Sequence, residues 1–565
     1  MSKKTFLFPL LIIISTLICY ANVINAPFIW DDEIMVVANP FIRNLANIPK
    51  IFTSSAFGHT LSAGKFYRPF QILSFAFDYH FWGLNPMGFH ITSIILHIIN
   101  CLLLFYLLIK LKFSKLFSYI VTQVFAIHPI HIEAVTYISG RGDLLYLTFS
   151  LLCFICFIIG SEKKSIIQHI LASLLLIIAI ISKENSVSLP VIILLYVFLF
   201  QKRNSINKSQ IYSLISLNLI SFCYAMYRVL PLSNNNTTLS LIADSSFWER
   251  LITIPHIFIT YIRLVFLPVF LHMEYHFVEK SLFSPYILIG IPFLAIFFYL
   301  LINKTAPKKQ ALFFALWFII GLSPVLNIAA PLASTVREHW LYLPSIGLFI
   351  LLAKTISQSI NKIMLKTRLS SHKISKLKLI LFIISILYLS TCTIIRNKDW
   401  QEPLKLYEHD LFLEPRSFLL HNNRGVEHFR LNNMIKAKES FKMAVQVSPR
   451  QSYGIAHNNL GVIYQNEDNI ELAKTHFLKS IECNNYELAY TNLANIFIKE
   501  NKLEDAISHL EAGNKIHPND IRILYKLGLL YYYTKQPKKS KALLTKLNSL
   551  HPNYNNVSEI LRKLF

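Results

Sequence analysis

Hydrophobic residues fall in long blocks over the first 396 positions, whereas from residue 397 onward they recur singly, at helical spacing, in a polar Asn- and Lys-rich background. The blocks occupy 5–25, 90–110, 115–127, 143–160, 165–181, 187–201, 211–231, 284–302, 310–327, 341–357 and 378–395. A bilayer needs about 20 apolar residues per helical crossing, so this half reads as a polytopic bundle of about 11 spans. One further apolar stretch, 251–271, contains His256, Arg263 and Pro268. A full crossing there would invert the side of everything after it, and the segment is read as re-entrant or interfacial. The first run follows a short basic start and resembles a signal peptide, but it lacks a convincing small-residue cleavage site. It is expected to remain as a first helix with a cytoplasmic N-terminus.

The second half repeats itself. Gly425, Ala437, Phe441, Ala444 and Pro449 recur as Gly461, Ala473, Phe477 and Ser480, then as Ala494, Ala506, Leu510 and Pro518, then as Gly528, Ser540, Leu544 and Pro552. That spacing is close to the 34-residue tetratricopeptide period. Small residues let paired helices cross closely, an aromatic fills the gap, and Pro ends the second helix. The expected fold class is therefore all-α, a transmembrane bundle over 1–396 followed by an α-solenoid of about four repeats over 418–565. Residues 397–417, with Leu406, Leu411 and Pro415, read as a connecting half-repeat, and 26–89 as the first outer loop.

Composition supports this division, with 54% hydrophobic residues, 43 Phe and 27 Tyr against 15 Gly. Of the formal charge of +24, most lies in the first 396 residues, which hold 32 Lys+Arg and 13 Asp+Glu. The bases cluster in alternate gaps, at Lys110/Lys112/Lys115, Lys163/Lys164, Lys202/Arg203/Lys208, Lys304/Lys308/Lys309 and 354–378. This is the pattern of cytoplasmic loops rather than of nucleic-acid binding. Glu162 is the one acid on that side, and the other twelve, Asp31, Asp32 and Glu33 among them, fall on the outer face. Six of the seven Cys lie in apolar runs and Cys483 is alone in the tail, so no disulfide framework is implied and Cys153-x-x-Cys156 reads as packing.

Asp31-Asp32, just past the first span, has three readings: a helix cap, a divalent-metal ligand pair, or a catalytic base with its partner. The other outer loops supply cations. Tyr67-Arg68-Pro69 reads as an interfacial turn in which Arg68 is a phosphate-ligand candidate. His90, His97 and Asn100 share one helix face and favour hydrogen bonds to neighbouring helices, with His90 nearest the outer end. The densest cluster runs from His128 through His131, Glu133, Tyr137 and Arg141 to Asp143. It is not a zinc motif, and a loop of this composition fits anion binding and acid/base work better. Lys183-Glu184 and Arg337-Glu338-His339 fall on the same face, where ordinary ion pairing is the competing reading.

Taken in order, Trp30-Asp31-Asp32, Tyr67-Arg68-Pro69, Gly83-Leu84-Asn85-Pro86, His128-Pro129-Ile130-His131-Ile132-Glu133-Ala134-Val135, Gly140-Arg141-Gly142-Asp143, Lys183-Glu184, Tyr342-Leu343-Pro344-Ser345 and the repeats resemble the transmembrane-and-tetratricopeptide-repeat proteins. These are C-type glycosyltransferases whose animal members are protein O-mannosyltransferases, and many bacterial relatives share the layout. The resemblance implies an inverting transfer of a sugar, mannose in animal members, from a polyprenyl-phosphate carrier to a protein Ser/Thr hydroxyl on the extracytoplasmic face. It makes Asp31 the base, with Asp32 orienting the acceptor or holding a divalent cation, and requires no other cofactor. Donor and acceptor binding would fall to Arg68, His90, His128, His131, Glu133, Arg141, Asp143, Lys183, Glu184, Arg337, Glu338 and Tyr342. The family often has Glu-Arg before Leu-Tyr-Leu-Pro-Ser, where this chain has Glu338-His339.

The implied setting is a bacterial inner membrane with the repeats outside, or an endoplasmic-reticulum membrane with them in the lumen. The bilayer, a polyprenyl-phosphate-linked sugar and an acceptor polypeptide or glycan are the expected partners. Two alternatives stay open, a non-enzymatic scaffold that assembles envelope complexes through its repeats, and a lipid-linked glycan ligase or polymerase. Sequons at Asn235, Asn236 and Asn556 do not decide the compartment.

Overall fold

A computed structural model describes residues 3–56, 66–202, 206–229, 239–366, 371–550 and 554–564. Lys65, Arg203, Asn235, Asn236 and Pro552 lie outside the described residues. Among the described residues the regular structure is helical, and the one β contact is an isolated bridge between Tyr275 and Val336. Two compact units divide the chain, the first comprising residues up to Ala56 and Tyr67–Glu414 and the second running from Pro415.

In the first unit the apolar blocks become helices with boundaries set by local chemistry. Asn85 caps helix Pro86–Lys110 by accepting from Met87 N at 3.1 Å, and Pro86 takes the first helical position, where its missing N–H costs nothing. Ser114 caps Lys115–Ile127, and Lys164 in the left-handed region ends Arg141–Lys163. Five described helices are long and apolar enough to cross a membrane by length and composition, and shorter apolar helices accompany them. Their outward faces carry exposed large apolar residues, among them Ile167, Ile170 and Leu174 on Ile166–Ser182 and Leu379, Ile384 and Leu387 on Ser371–Asp399. Bare aliphatic faces of this size suit lipid rather than water.

Several polar groups inside the bundle pair with one another, while others, such as both ring nitrogens of His131, have no protein partner among the described residues. The Nδ1 of His97 lies 2.6 Å from the Tyr342 hydroxyl, Asn100 donates to Leu144 O at 2.9 Å, and Thr148 donates to Asn100 Oδ1 at 2.7 Å. Gly347 permits the close crossing of Lys308–Leu322 and Pro344–Lys366, since a Cβ there would meet Phe314 O at 2.5 Å.

The stretch expected to stop short of crossing forms helix Phe247–Phe266. Loops at one end of the bundle hold it along its length. Thr253 Oγ1 accepts from Glu279 N, His256 pairs with Glu279 at 2.8 Å, and Val265 O lies 3.1 Å from His128 Nε2. The half-repeat 397–417 divides differently from the expectation, because helix Pro403–Leu413 packs within the first unit. Asp410 anchors it, accepting from Met273 N at 2.8 Å and pairing with Arg396 at 2.8 Å.

The second unit stacks helix pairs, Phe418–Arg430 with Met434–Val447, Gly454–Asn466 with Ile470–Asn484, Glu487–Lys499 with Leu503–Ile516 and Ile521–Tyr533 with Pro537–Leu550. The small residues of the repeat sit where helices touch, since a Cβ on Gly461 would meet Phe477 at 2.5 Å and one on Gly425 would meet Phe441 at 2.6 Å.

Candidate active site

Beyond the first helix, Lys3–Tyr20, and the turn Ala21–Val23, the chain reverses at Trp30, whose φ of 52° lies in the left-handed region that bulky residues avoid. Its ring is held by the guanidinium of Arg337, 5.7 Å from the ring centre, and by Tyr407 at 6.4 Å. The reversal sends the two adjacent carboxylates into unlike surroundings.

Asp32 is 1% exposed. One carboxylate oxygen accepts from Ser139 N at 2.7 Å and Ser139 Oγ at 2.5 Å, and the other accepts from Ile29 N at 3.1 Å. Burial pushes its pKa up to about 7 despite these donors. Asp31 is half-buried, and its backbone N–H donates to the Tyr137 hydroxyl at 3.0 Å. The same hydroxyl bonds its carboxylate. Burial raises the Asp31 pKa, while the charges of Arg337 and Arg68 and the Tyr137 bond oppose the rise.

Cations surround Asp31. Arg337, whose side chain is 14% exposed, pairs with Glu274 at 2.7 Å and approaches Glu133 at 4.0 Å. Arg68 grips Glu184 with two bonds of 3.0 and 2.6 Å, and Lys183 pairs with buried Asp143 at 2.6 Å. Glu133 accepts from the backbone N of His339 at 3.1 Å and meets its ring Nδ1 at 2.8 Å. Burial lifts Glu133 to about 7 and lowers His339, on which neighbouring Lys183 acts in the same direction, and the Glu133 Oε1–His339 Nδ1 contact lacks hydrogen-bond geometry. Glu338 turns away from this group. It accepts from His272 N and Tyr275 OH, both at 2.7 Å, and burial raises it to about 8.

The remaining sequence-derived candidates lie deeper. Arg141 is fully buried, pairs with Asp78 and donates to Phe89 O at 2.7 Å, which ties two helices together. His128 caps a turn by accepting from Ile130 N at 3.3 Å. The His131 ring is walled by Phe125 at 4.4 Å and Tyr342 at 5.0 Å, and the Nε2 of His90 lies 3.0 Å from Ala26 O. These four, with Tyr342, form the polar frame beneath the rim. Sequence reading passed over Tyr137 and Ser139 as site groups, although both stand inside the densest motif. It also missed Glu274, Arg396 and Asp410. The run His272-Met273-Glu274-Tyr275-His276, with four polar residues in five just after an apolar helix, was the available signal for Glu274.

Divalent-metal binding at Asp31 and Asp32 fits poorly, because Asp32 already accepts three protein N–H or O–H donors. Among the described residues, no group of three or more His, Cys, Asp or Glu side chains has metal-ligating geometry.

A half-buried carboxylate under the charge of Arg337 and Arg68 therefore sits beside the apolar helical bundle. Comparison with known proteins gives that arrangement a context. A tetratricopeptide repeat model matches residues 455–485. The human protein O-mannosyl-transferase TMTC3 is 26% identical over 95% of this chain and 63% of its own length. The Caenorhabditis elegans protein O-mannosyl-transferase F38B6.6 is 27% identical over 78% of this chain and 63% of its own length. The chain is thus similar over most of its length to protein O-mannosyl-transferases. It spans somewhat under two thirds of the length of these relatives. Among solved structures, the tetratricopeptide protein YrrB, described as having an unusual peptide-binding site, is 17% identical over 36% of this chain and 99% of its own, with a TM-score of 0.23.

Proposed function

We propose that the chain is a multi-pass membrane glycosyltransferase that moves a sugar, mannose in the first instance, from a polyprenyl-phosphate carrier to a protein Ser/Thr hydroxyl on the extracytoplasmic face. The observation that carries this reading is the half-buried residue Asp31, its carboxylate bonded by Tyr137 and acted on by the charges of Arg337 and Arg68. The names of the relatives, protein O-mannosyl-transferases, support the sugar and the acceptor class.

In this mechanism the acceptor oxygen attacks the anomeric carbon as the bond from that carbon to the carrier phosphate breaks. The acceptor proton passes to Asp31, and the electron pair of the broken bond leaves on the phosphate. Attack opposite the leaving group inverts the anomeric centre. A departing phosphate needs cations that do not have to move into place, and Arg337 and Arg68 are already fixed by Glu274 and Glu184. Asp32, saturated by Ser139 and Ile29, holds the loop that carries Asp31. Residues deeper in the bundle, Arg141, His128 and His131, keep the rim loops in register.

Mass spectrometry of extracytoplasmic proteins from cells with and without the chain tests the reading. Loss of hexose from Ser/Thr peptides on deletion supports it. An unchanged protein glycan profile with an altered glycolipid would replace the acceptor by a lipid-linked glycan, and no change in either would favour a scaffold.

A further inference from the structure

The solenoid contains a cleft unrelated to the rim of the membrane unit, with a volume of about 450 Å³. It lies where Met434–Val447, the turn Pro449–Gln451, Gly454–Asn466 and Ile470–Asn484 meet. Lys442, Arg450 and Lys479 line it against a single carboxylate, Glu482. Lys442 and Lys479 are exposed and carry no ion pair among the described residues. Ser452 adds a hydroxyl, and Arg450 and Gln451 take left-handed φ values of 54° and 51°, which fold the turn over the cleft. Spacing alone predicts none of this, because repeat positions describe helix contacts rather than the groove between repeats.

An imidazole pair also lines the cleft. The Nδ1 atoms of His457 and His476 lie 3.1 Å apart, and Nε2 of His457 lies 3.3 Å from Gln451 O. If His457 donates through Nε2 to that carbonyl, its Nδ1 must accept from His476. The Nε2 of His476 is then the pair's open acceptor. His476 stacks on Tyr464 at 5.2 Å, whose other neighbour is Lys438 at 4.4 Å, and Cys483 sits beside Glu482 and Lys479. Burial holds His476 down to about 4, with the charges of His457, Lys479 and Lys442 adding to it. An anion among these groups reverses that repulsion.

We propose that this cleft binds a phosphate-monoester dianion, on a small sugar phosphate or a lipid head, and takes up one proton at the His457–His476 pair on binding. The volume suits a small ligand. Three cations facing one carboxylate supply the charge-assisted bonds that a compact dianion needs. An extended acidic peptide would need a longer cationic track than this cleft provides.

The test is equilibrium dialysis of the full chain in detergent micelles with radiolabelled sulfate, a tetrahedral dianion whose charge is constant from pH 5.5 to 7.5. Saturable binding that tightens several-fold as pH falls over that range is expected. The Lys442→Ala/Lys479→Ala variant should lose about tenfold in affinity, as expected for losing two charge-assisted bonds. Lys442→Arg/Lys479→Arg should retain binding, and His476→Gln should bind with a flat pH profile. Glucose 6-phosphate displacing sulfate assigns a soluble ligand, and displacement by phosphatidic-acid vesicles but not by phosphatidylcholine vesicles assigns a lipid head. Failure of both to compete overturns the proposal, as does unchanged binding in the alanine variant or a pH-independent affinity. Displacement by hexaglutamate more effective than by glucose 6-phosphate would replace the phosphate by an acidic peptide.

Discussion

Asp31 and Asp32 differ by one position and by everything around them. Asp32 is buried and held by Ser139 and Ile29, whereas Asp31 is less buried and its carboxylate is bonded by Tyr137. Tyr137→Phe removes a bond that lowers the Asp31 pKa, so the acid limb of the pH–rate profile should move to higher pH. The maximal transfer rate should fall about tenfold, less than the roughly 10²–10⁴-fold of a whole general-base contribution. Carboxyls held high in the fold also link stability to pH. Asp32 and Glu133 sit near 7 and Glu338 near 8, against about 4 for an unfolded chain. The folded chain therefore holds protons that the unfolded chain releases, and this contribution to stability is greatest at low pH and lost as pH rises through 7 to 8. Below about 6.5 the buried, neutral His128, His272 and His339 oppose it, because they charge on unfolding. Melting temperatures in detergent should therefore fall from about pH 6.5 to 8.5, and Glu338→Gln should flatten the fall. The acidic pair was legible because two carboxylates follow an apolar run directly. Which of the two faces outward was not, since it turns on the positive φ of Trp30 and on Ser139, more than 100 positions away.

Helices of the bundle were legible from block lengths, and those of the solenoid from the recurrence of small and aromatic residues. Boundaries followed Asn85, Ser114 and the prolines at first helical positions. The attachment of helix Pro403–Leu413 to the first unit escaped the reading, because it rests on the buried carboxylate of Asp410 and on partners far along the chain. The repeat contacts predict a graded response. Gly461→Leu forces a side chain onto Phe477 and should cost about 1–3 kcal/mol, and Phe477→Ala should cost about 3–5 kcal/mol by opening a cavity. Urea unfolding followed by far-UV circular dichroism measures both.

Across the whole chain, charge segregation is the feature that sequence exposes best. Lys110 pairs with Glu162 at 3.0 Å at one end of the bundle, and the acids of the other end pair among Arg68, Lys183 and Arg337. With the proposed orientation, a membrane-impermeant maleimide should label Lys309→Cys only in permeabilised cells and Ser281→Cys in intact ones. The central claim is that this outer rim transfers a sugar with Asp31 as base. The most direct measurement is the rate of hexose transfer in membranes containing equal amounts of wild type, Asp31→Asn and Lys442→Ala/Lys479→Ala. The account predicts loss of at least about a hundredfold for Asp31→Asn alone, with its melting temperature unchanged. Wild-type transfer by Asp31→Asn would contradict it.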